Sequence, residues 1–349
     1  MERVSHMKNF GKKTKMRRGF TLIELLAATA IMIVLVLFVT NIAVNMLKIY
    51  DRTVATLSTN ADSGMILDPL QDDLLSASMP DDGNCWFEIR YEEDVDNVTR
   101  HSAPELMFFS RPQDRIRRER NSKDLLPGDL CAVSYKIAHR SPFGTRFSSS
   151  AGNLVYGCYR SVLNAKDTFG LALPYVIGQK GDSESSRLPS KFWKGGDQVE
   201  DPADGKKYAA SSWRTEMQNF LVDGIVDFTV FFWFDDFTDG KRKIAAVNNS
   251  KLVQQLRSLY PDTTVVTFEK SLAAGAGSVV FDDNFESKTS GAVRSADVSV
   301  TVLSPEGKEL LQGIQEQSGN GKIENEKFEE ILLEHGATFS RACPMFGGR

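Results

Sequence analysis

The apolar residues near the N-terminus form one long uninterrupted run. Residues 20–39 read FTLIELLAATAIMIVLVLFV, with Glu24 as the single ionisable side chain and without proline or glycine. At about 1.5 Å per residue, a helix of this length spans roughly 30 Å, the thickness of a bilayer core. An ordinary secretory signal peptide would have a shorter apolar run and a small-residue cleavage site after it. The pattern therefore predicts a membrane-spanning helix.

Helical spacing of apolar residues continues beyond the apolar run. The spaced positions, with polar residues between them, are Ile42, Met46, Ile49, Val54 and Leu57. This spacing predicts one N-terminal helix over residues 20–60, about 60 Å long, that leaves the bilayer as a spine. Gly64 and Pro69 then predict an interruption or kink before the next helical segment at 70–77.

After Pro80 the apolar period changes from helical spacing to two. Alternation or a short apolar run occurs at residues 86–92, 105–110, 130–137, 153–161, 225–234 and 298–302. These segments predict about six strands joined by polar turns that contain glycine, and the alternating segments predict strands with one buried face. The predicted fold class is α+β: a long N-terminal transmembrane spine helix packed on an antiparallel β-sheet.

Two segments break the strand pattern and are predicted to be insertions. Residues 162–215 are rich in Gly, Ser, Asp and Lys, and residues 238–295 contain one helical stretch, SKLVQQLRSLY, which we expect amid loops. Two short C-terminal helices are also predicted, one over 305–316 and the other in NEKFEEILLEHG, ended by Gly336. The predicted divisions are residues 1–19, 20–60 and 61–349.

Charge is unevenly distributed along the chain. The first 19 residues carry seven Lys or Arg residues against Glu2 alone, a formal charge of +6, so the remainder of a chain whose total is −4 carries −10. Basic residues before the apolar run predict a cytoplasmic N-terminus and a large domain on the other side of the membrane. Nucleic acid is not an expected partner, since binding to phosphates needs clustered Lys and Arg.

The boundary between the basic and apolar segments carries a specific motif. Residues 17–26, RRGFTLIELL, resemble the leader junction of type IV pilins and of type II secretion pseudopilins. The resemblance implies that a prepilin peptidase cuts after Gly19 and that the new N-terminal Phe20 is methylated. Because the cut precedes the apolar run, removing the leader residues 1–19 leaves the membrane helix in place. The expected product is an anchored, single-pass subunit.

Glu24 lies one turn inside the apolar run. A carboxylate in a membrane helix is costly and usually marks a function or a partner. The partner that the resemblance implies is the new α-amine of Phe20 on a neighbouring subunit, since opposite charges attract strongly where water is scarce. The alternative is that the Glu24 side chain extends to the membrane surface without a partner.

The order of the later segments is similar to that of the J-type minor pseudopilin of type II secretion. The similar segments are LQDDLLSA, DLCAVSYKI, NLVYGCYRS, LVDGIVDFTVFFW and AVRSADVSVTV. This resemblance implies a structural subunit near the tip of a pseudopilus in the periplasm of a bacterium, anchored in the inner membrane. Its expected partners are other major and minor pseudopilins and secreted cargo. The alternative is a minor subunit of a type IV pilus that serves adhesion, motility or DNA uptake.

The chain has four cysteines, at positions 85, 131, 158 and 343. In an oxidising compartment four cysteines allow three pairings. Cys131 and Cys158 lie in strands that are candidates for antiparallel neighbours, so a Cys131–Cys158 disulfide is one hypothesis. Free buried thiols are the other. Zinc is not expected, because the cysteine and histidine spacings differ from those of structural zinc sites.

Catalytic, metal and cofactor sites are not predicted. Gly181-Asp182-Ser183 is similar to the nucleophile block of some lipases, but it lacks a convincing Asp/His partner downstream. Residues 235–240, DDFTDG, crowd carboxylates as a calcium loop does, but Phe237 stands where an oxygen ligand is needed. A hairpin turn is the better interpretation. The sequence therefore predicts a structural protein, not an enzyme.

Overall fold

A computed structural model describes most of the 349-residue chain. The described residues are 21–91, 104–112, 117–118, 125–126, 130–140, 155–178, 187–194, 197–200, 205–282, 287–317 and 325–345. The chain divides into two compact units, Met1–Val54 and Ala55–Arg349.

One helix, α1 (Leu22–Leu75), accounts for the N-terminal part of the described chain. Its first half confirms the long apolar helix. Of the predicted interruption or kink at Gly64 and Pro69, the interruption is wrong, because α1 continues through both residues, and the kink stays a prediction. Proline removes one helical hydrogen bond and costs about 3 kcal/mol in a helix interior. Burial of Ile66, Leu67 and Leu70 on either side of Pro69 offsets this cost, because the helix segment is held by tertiary packing.

The second unit contains the strands and the short helices. In chain order the strands are β1 (Phe87–Tyr91), β2 (Pro104–Ser110), β3 (Arg117–Arg118), β4 (Leu125–Leu126), β5 (Cys131–Arg140), β6 (Val155–Val162), β7 (Gln198–Glu200), β8 (Lys207–Ala209), β9 (Phe220–Asp223), β10 (Ile225–Asp236), β11 (Lys241–Val247), β12 (Val265–Phe268), β13 (Ser271–Ala274), β14 (Ser278–Phe281), β15 (Lys288–Leu303) and β16 (Gly336–Pro344). The further α-helices are α2 (Ala165–Asp167), α3 (Leu173–Val176), α4 (Pro189–Lys194), α5 (Ala210–Trp213), α6 (Ser250–Leu259), α7 (Pro305–Gln317) and α8 (Asn325–His335).

Twelve of the described strands join into one largely antiparallel sheet. Its order is β12-β11-β10-β15-β14-β13-β1-β2-β5-β6-β9, and β16 pairs with β15. Strand β15 links the two halves, since its start pairs with β14 and the rest pairs with β10 and β16. A bulge at Arg294, where the register with β10 shifts, adds local twist at this junction.

The two halves of the sheet pack face to face. Phe87 of β1 lies edge-on to Phe232 of β10, with ring centroids 5.3 Å apart. The Tyr91 hydroxyl donates to the Val230 carbonyl at 3.4 Å, which links the same two strands. The core thus lies between the halves, and it is aromatic because alternate residues of the predicted strands all point into it.

The six predicted strand segments are confirmed as β1, β2, β5, β6, β10 and β15. The predicted exposure of one face is wrong for β1, and β2 likewise has no exposed face. All seven residues of β2 are buried, and Glu88 of β1 is fully buried. The alternation in the sequence reflects one apolar face and one polar face, but both are covered.

The C-terminal turns of α1 attach to the inner face of β5 and β6 through a buried charge. Both oxygens of the Asp73 carboxylate accept from the Arg160 guanidinium at 2.8 Å. The Tyr135 hydroxyl donates to Asp73 at 2.6 Å. Asp73 and Arg160 are 1% and 7% exposed, so both charges are desolvated and depend on each other.

The segment predicted to be the first insertion is not a plain loop. It contains α2 to α5, β7 and β8, and a π-helical turn at Thr168–Ala172. Trp193 and Trp213 stack with ring centroids 6.3 Å apart, and both are buried. Aromatic residues spaced far apart in a polar sequence supply this core, which explains why the composition concealed it.

The segment 238–295 is mostly integral to the sheet. It contains the predicted helix, confirmed as α6, but also β11 to β14 and the start of β15. Its strands are only four to seven residues long apart from β15, too short for a clear period-two pattern.

Both predicted C-terminal helices are confirmed as α7 and α8. The Ser304 hydroxyl accepts from the Gly307 amide at 3.2 Å, the capping role expected before Pro305. Strand β16, which follows α8 and pairs with β15 over nine positions, was not predicted.

The predicted Cys131–Cys158 disulfide is wrong. All four cysteines are buried and unbridged. Although β5 and β6 are antiparallel neighbours, Cys158 lies opposite Ile137, six residues along β5 from Cys131. At about 3.3 Å per residue this offset is roughly 20 Å, whereas a disulfide needs Cα atoms within about 7 Å.

Replacing Asp73 with alanine should destabilise the second unit strongly. The Arg160 guanidinium would stay buried without its counter-charge, which typically costs about 3–5 kcal/mol. Denaturant unfolding of the full chain in detergent measures the change. The matched control is Asp72→Ala, which removes the neighbouring exposed carboxylate. Equal stability of the two variants would contradict the structural role of Asp73.

The thiols should be unreactive in the native protein. Burial raises the pKa of Cys158 to about 12 and that of Cys343 to about 11, so the nucleophilic thiolate is scarce at pH 8. Without reductant, a thiol reagent should label all four cysteines after denaturation and few of them in the native protein. Recovery of only two thiols after denaturation would indicate a disulfide.

Because both pKa values are raised, the contribution of Cys158 and Cys343 to stability is complete below pH 9 and is lost as the pH rises towards 11 and 12.

Candidate assembly site at the start of the membrane helix

The first turn of α1 places one carboxylate at the N-terminal end of a long apolar helix. The helix begins at Leu22, and its exposed apolar residues run through the first unit. Among the described residues it is the one helix that is long and apolar enough to cross a membrane. The leader junction residues Gly19 and Phe20 lie outside the described residues.

Glu24 forms a capping box with Thr21. Its Oε2 accepts from the Thr21 backbone amide at 3.0 Å and from the Thr21 hydroxyl at 3.1 Å. In return, the Glu24 amide donates to the Thr21 hydroxyl oxygen at 3.3 Å. Two amides that have no partner in the first turn of a helix are thereby satisfied.

This geometry shows how the chain tolerates a carboxylate at the membrane boundary. The negative charge lies at the positive end of the helix dipole and accepts two hydrogen bonds within its own chain. Both hydrogen bonds go to Oε2, and Glu24 is exposed. The T-x-x-E pattern of a capping box was readable in the sequence, but the role of Thr21 was not predicted.

Beyond the length of a bilayer core, α1 keeps an exposed apolar side within the first unit. Ile42, Met46 and Ile49 follow helical spacing, and each is at least 48% exposed. An isolated helix with such a side exposes apolar surface to water, which favours its burial against other helices.

The acidic hairpin between β10 and β11 is confirmed as a turn. Lys243 contacts Asp236 at 2.6 Å and Asp239 at 2.8 Å. Its hydrogen bonds are the main cause that lowers the pKa of both carboxyl groups. Asp235 pairs with Arg242 and Arg294 at 3.0 and 2.8 Å. These carboxylates are neutralised by side chains of the protein, and in the described part of the chain no cluster of three metal-binding groups occurs.

The remaining candidate nucleophile and base residues are not brought together where they are described. Gly181-Asp182-Ser183 and His101 lie outside the described residues. The ring of His139 packs on Tyr156 with centroids 4.4 Å apart. The ring nitrogens of His335 lie 4.0 and 3.8 Å from the carboxylates of Glu306 and Glu334 at the surface.

Comparisons with known proteins bear on the N-terminal segment. Residues 14–40 match the family model described as the prokaryotic N-terminal methylation motif. Searches of the curated proteins and of the solved structures found no match to the chain. The matched segment contains the basic residues before the junction, Gly19, Phe20, and the capping box at Thr21 and Glu24. Together with the single apolar helix, this motif indicates a membrane-anchored, single-pass, type IV pilin-like protein, a subunit of a pilus or pseudopilus.

Proposed function

We propose that the protein is a J-like minor pseudopilin of a type II secretion-like filament. The observation that carries the proposal is the junction at residues 17–26, followed directly by the long apolar helix α1. The order of segments in the second unit, with its α+β architecture, supports the J-like assignment. In this role the protein is a structural subunit without enzymatic activity.

Maturation begins with removal of the leader. A prepilin peptidase cuts between Gly19 and Phe20, and the new amino group of Phe20 is methylated. The helix starts at Leu22, so the cut lies outside it and leaves the apolar segment whole. The mature subunit remains anchored in the inner membrane with its large domain in the periplasm.

Assembly proceeds through parallel packing of N-terminal helices. The carboxylate of Glu24 pairs with the Phe20 amine of a neighbouring subunit in the low dielectric of the membrane, where attraction between opposite charges is strong. The exposed apolar residues of α1 provide the contact area between helices. The ion pair fixes the axial register of neighbouring subunits.

The second unit acts near the tip of the filament. There it joins other major and minor pseudopilins, helps to start assembly and contacts secreted cargo. The helices α2 to α8 are added to the sheet. They give this subunit a surface of its own, which suits a position at the filament tip.

A minor subunit of a type IV pilus is the second candidate, and the motif match supports it equally. Deleting the gene in its host separates the two functions. Accumulation of secreted proteins in the periplasm with intact surface pili supports the pseudopilin. Normal secretion with loss of pili, adhesion, motility or DNA uptake supports the pilus subunit.

Co-expression with a prepilin peptidase should shorten the protein so that it begins at methylated Phe20. Mass spectrometry of the intact protein and of its N-terminal peptide identifies the new terminus. Gly19→Val should abolish cleavage, because the residue before the cut bond is changed, whereas Gly11→Ala in the same leader should leave cleavage unchanged. A mature terminus after residue 40 would contradict the proposal.

Glu24→Gln should impair assembly while insertion and leader cleavage persist. The substitution keeps the shape of the side chain but removes the charge that attracts the Phe20 amine, and an uncharged helix inserts more readily. Crosslinking to partner subunits in cells should fall several-fold at equal membrane abundance.

Thr21→Val separates the capping role from the pairing role. It removes the hydroxyl that binds Glu24 but leaves the carboxylate, so crosslinking should persist. Thr29→Val is the matched control, because Thr29 bonds only to the backbone carbonyl of Leu26. Normal crosslinking of Glu24→Gln would rule out the ion pair.

A further inference from the structure

The outer face of β1, β2, β5 and β6, which points away from the aromatic core, is polar and yet buried. One row across the strands consists of Glu88, Met107, Ser134 and Ser161, as the strand register shows. Each of these residues is at most 1% exposed. Polar sheet faces are normally solvated, so this face needs partners other than bulk water.

The described parts of the segment 163–219 cover this face and supply some of those partners. The Ser190 amide, in α4, donates to Glu88 at 2.8 Å. Arg214, directly after α5, donates to Glu105 at 2.7 Å, and its carbonyl accepts from the Ser161 hydroxyl at 2.8 Å. Lys136 also pairs with Glu105. The cover is therefore attached by hydrogen bonds and ion pairs as well as by its tryptophans.

Some polar atoms in this layer have no protein partner within the described chain. They are Ser134 Oγ, Ser190 Oγ, Trp213 Nε1 and Arg214 Nε. Their residues are 1–4% exposed, so bulk solvent does not satisfy them. A buried polar atom without a partner is destabilising, and four such atoms in one layer would be a large penalty.

Two of these atoms, Ser134 Oγ and Arg214 Nε, belong to residues that lie at one place. Ser134 is the cross-strand neighbour of Ser161, whose hydroxyl binds the Arg214 carbonyl. The guanidinium of the same arginine reaches Glu105 of β2, on the other side of β5. Arg214 thus spans β5 at the level of Ser134, and Trp213 precedes it in the chain. Because the side chains of Ser134 and Ser161 are short, they leave a shallow depression in the sheet surface beneath Arg214.

We propose that this depression is a binding site for ordered water molecules that connect the sheet to the segment that covers it. Water both donates and accepts, so it can join the Ser134 hydroxyl to the Nε–H group of Arg214, which only donates. Buried waters of this kind are part of the structure and typically make about three hydrogen bonds. A second such position lies at Ser190, beside Glu88.

Ser134→Ala tests the proposal through the sign of its effect. If water binds there, the substitution deprives that water of a partner and lowers stability; if the site is dry, it removes an unsatisfied hydroxyl and raises stability. The thermal midpoint of the full chain in detergent should fall by about 2–4 °C relative to Ser290→Ala, whose side chain is exposed on β15. An unchanged or higher midpoint would overturn the proposal.

A crystal structure of the full chain in detergent provides the direct measurement. We expect ordered water within about 3.2 Å of both Ser134 Oγ and Arg214 Nε in the wild type, and loss of that water in Ser134→Ala. Protein atoms in hydrogen-bonding contact with these groups, or a dry gap between them, would show that the site does not bind water.

Discussion

The carboxylate of Asp73 is the contact on which the arrangement of α1 and the sheet depends within the second unit. Apolar residues such as Leu70 and Leu74 can slide against a sheet at modest cost, but a buried charge has few acceptable positions. Its two hydrogen bonds from Arg160 and one from Tyr135 fix both the rotation and the axial position of the helix.

Two further aspartates of α1 make comparable contacts nearer the surface, since Asp62 pairs with Lys308 and Asp68 with Arg341. The three ion pairs attach one helix to β6, α7 and β16.

Much of this fold was predictable, because its elements follow one-dimensional periods. The apolar run and the helical spacing predict α1, and alternation or short apolar runs predict six of the twelve strands of the sheet. The contacts that order these elements were not predictable. In LQDDLLSA, Asp72 and Asp73 are equivalent by composition, yet one is exposed and the other is buried against residues 62 and 87 positions away. The predicted interruption at Pro69 fails for the same reason, since local propensity yields to tertiary packing.

The candidate assembly site, unlike these long-range contacts, was largely predictable from the sequence, because its residues are close together in the chain. Cleavage, capping and the membrane helix all depend on residues within a short stretch, so a sequence motif describes them almost fully. The second unit has no such motif. Its cover over the outer sheet face depends on Ser190 and Arg214, which lie 102 and 109 positions from their partners Glu88 on β1 and Glu105 on β2. Alternation in β1 predicted a polar face correctly, but solvent exposure of that face does not follow when another part of the chain covers it.

Glu24 and Asp73 lie on the same helix, and the difference in their bonding separates an assembly role from a structural one. A carboxylate can accept about four hydrogen bonds. At Asp73 the two oxygens accept two hydrogen bonds from Arg160 and one from Tyr135, and the group is 1% exposed, so a partner from another subunit cannot reach it. At Glu24 the hydrogen bonds from Thr21 occupy Oε2, on an exposed side chain. The capping box holds the carboxylate at the helix start and leaves it accessible. A charge that is stabilised within its own chain but still accessible suits a contact that forms only when a second subunit arrives.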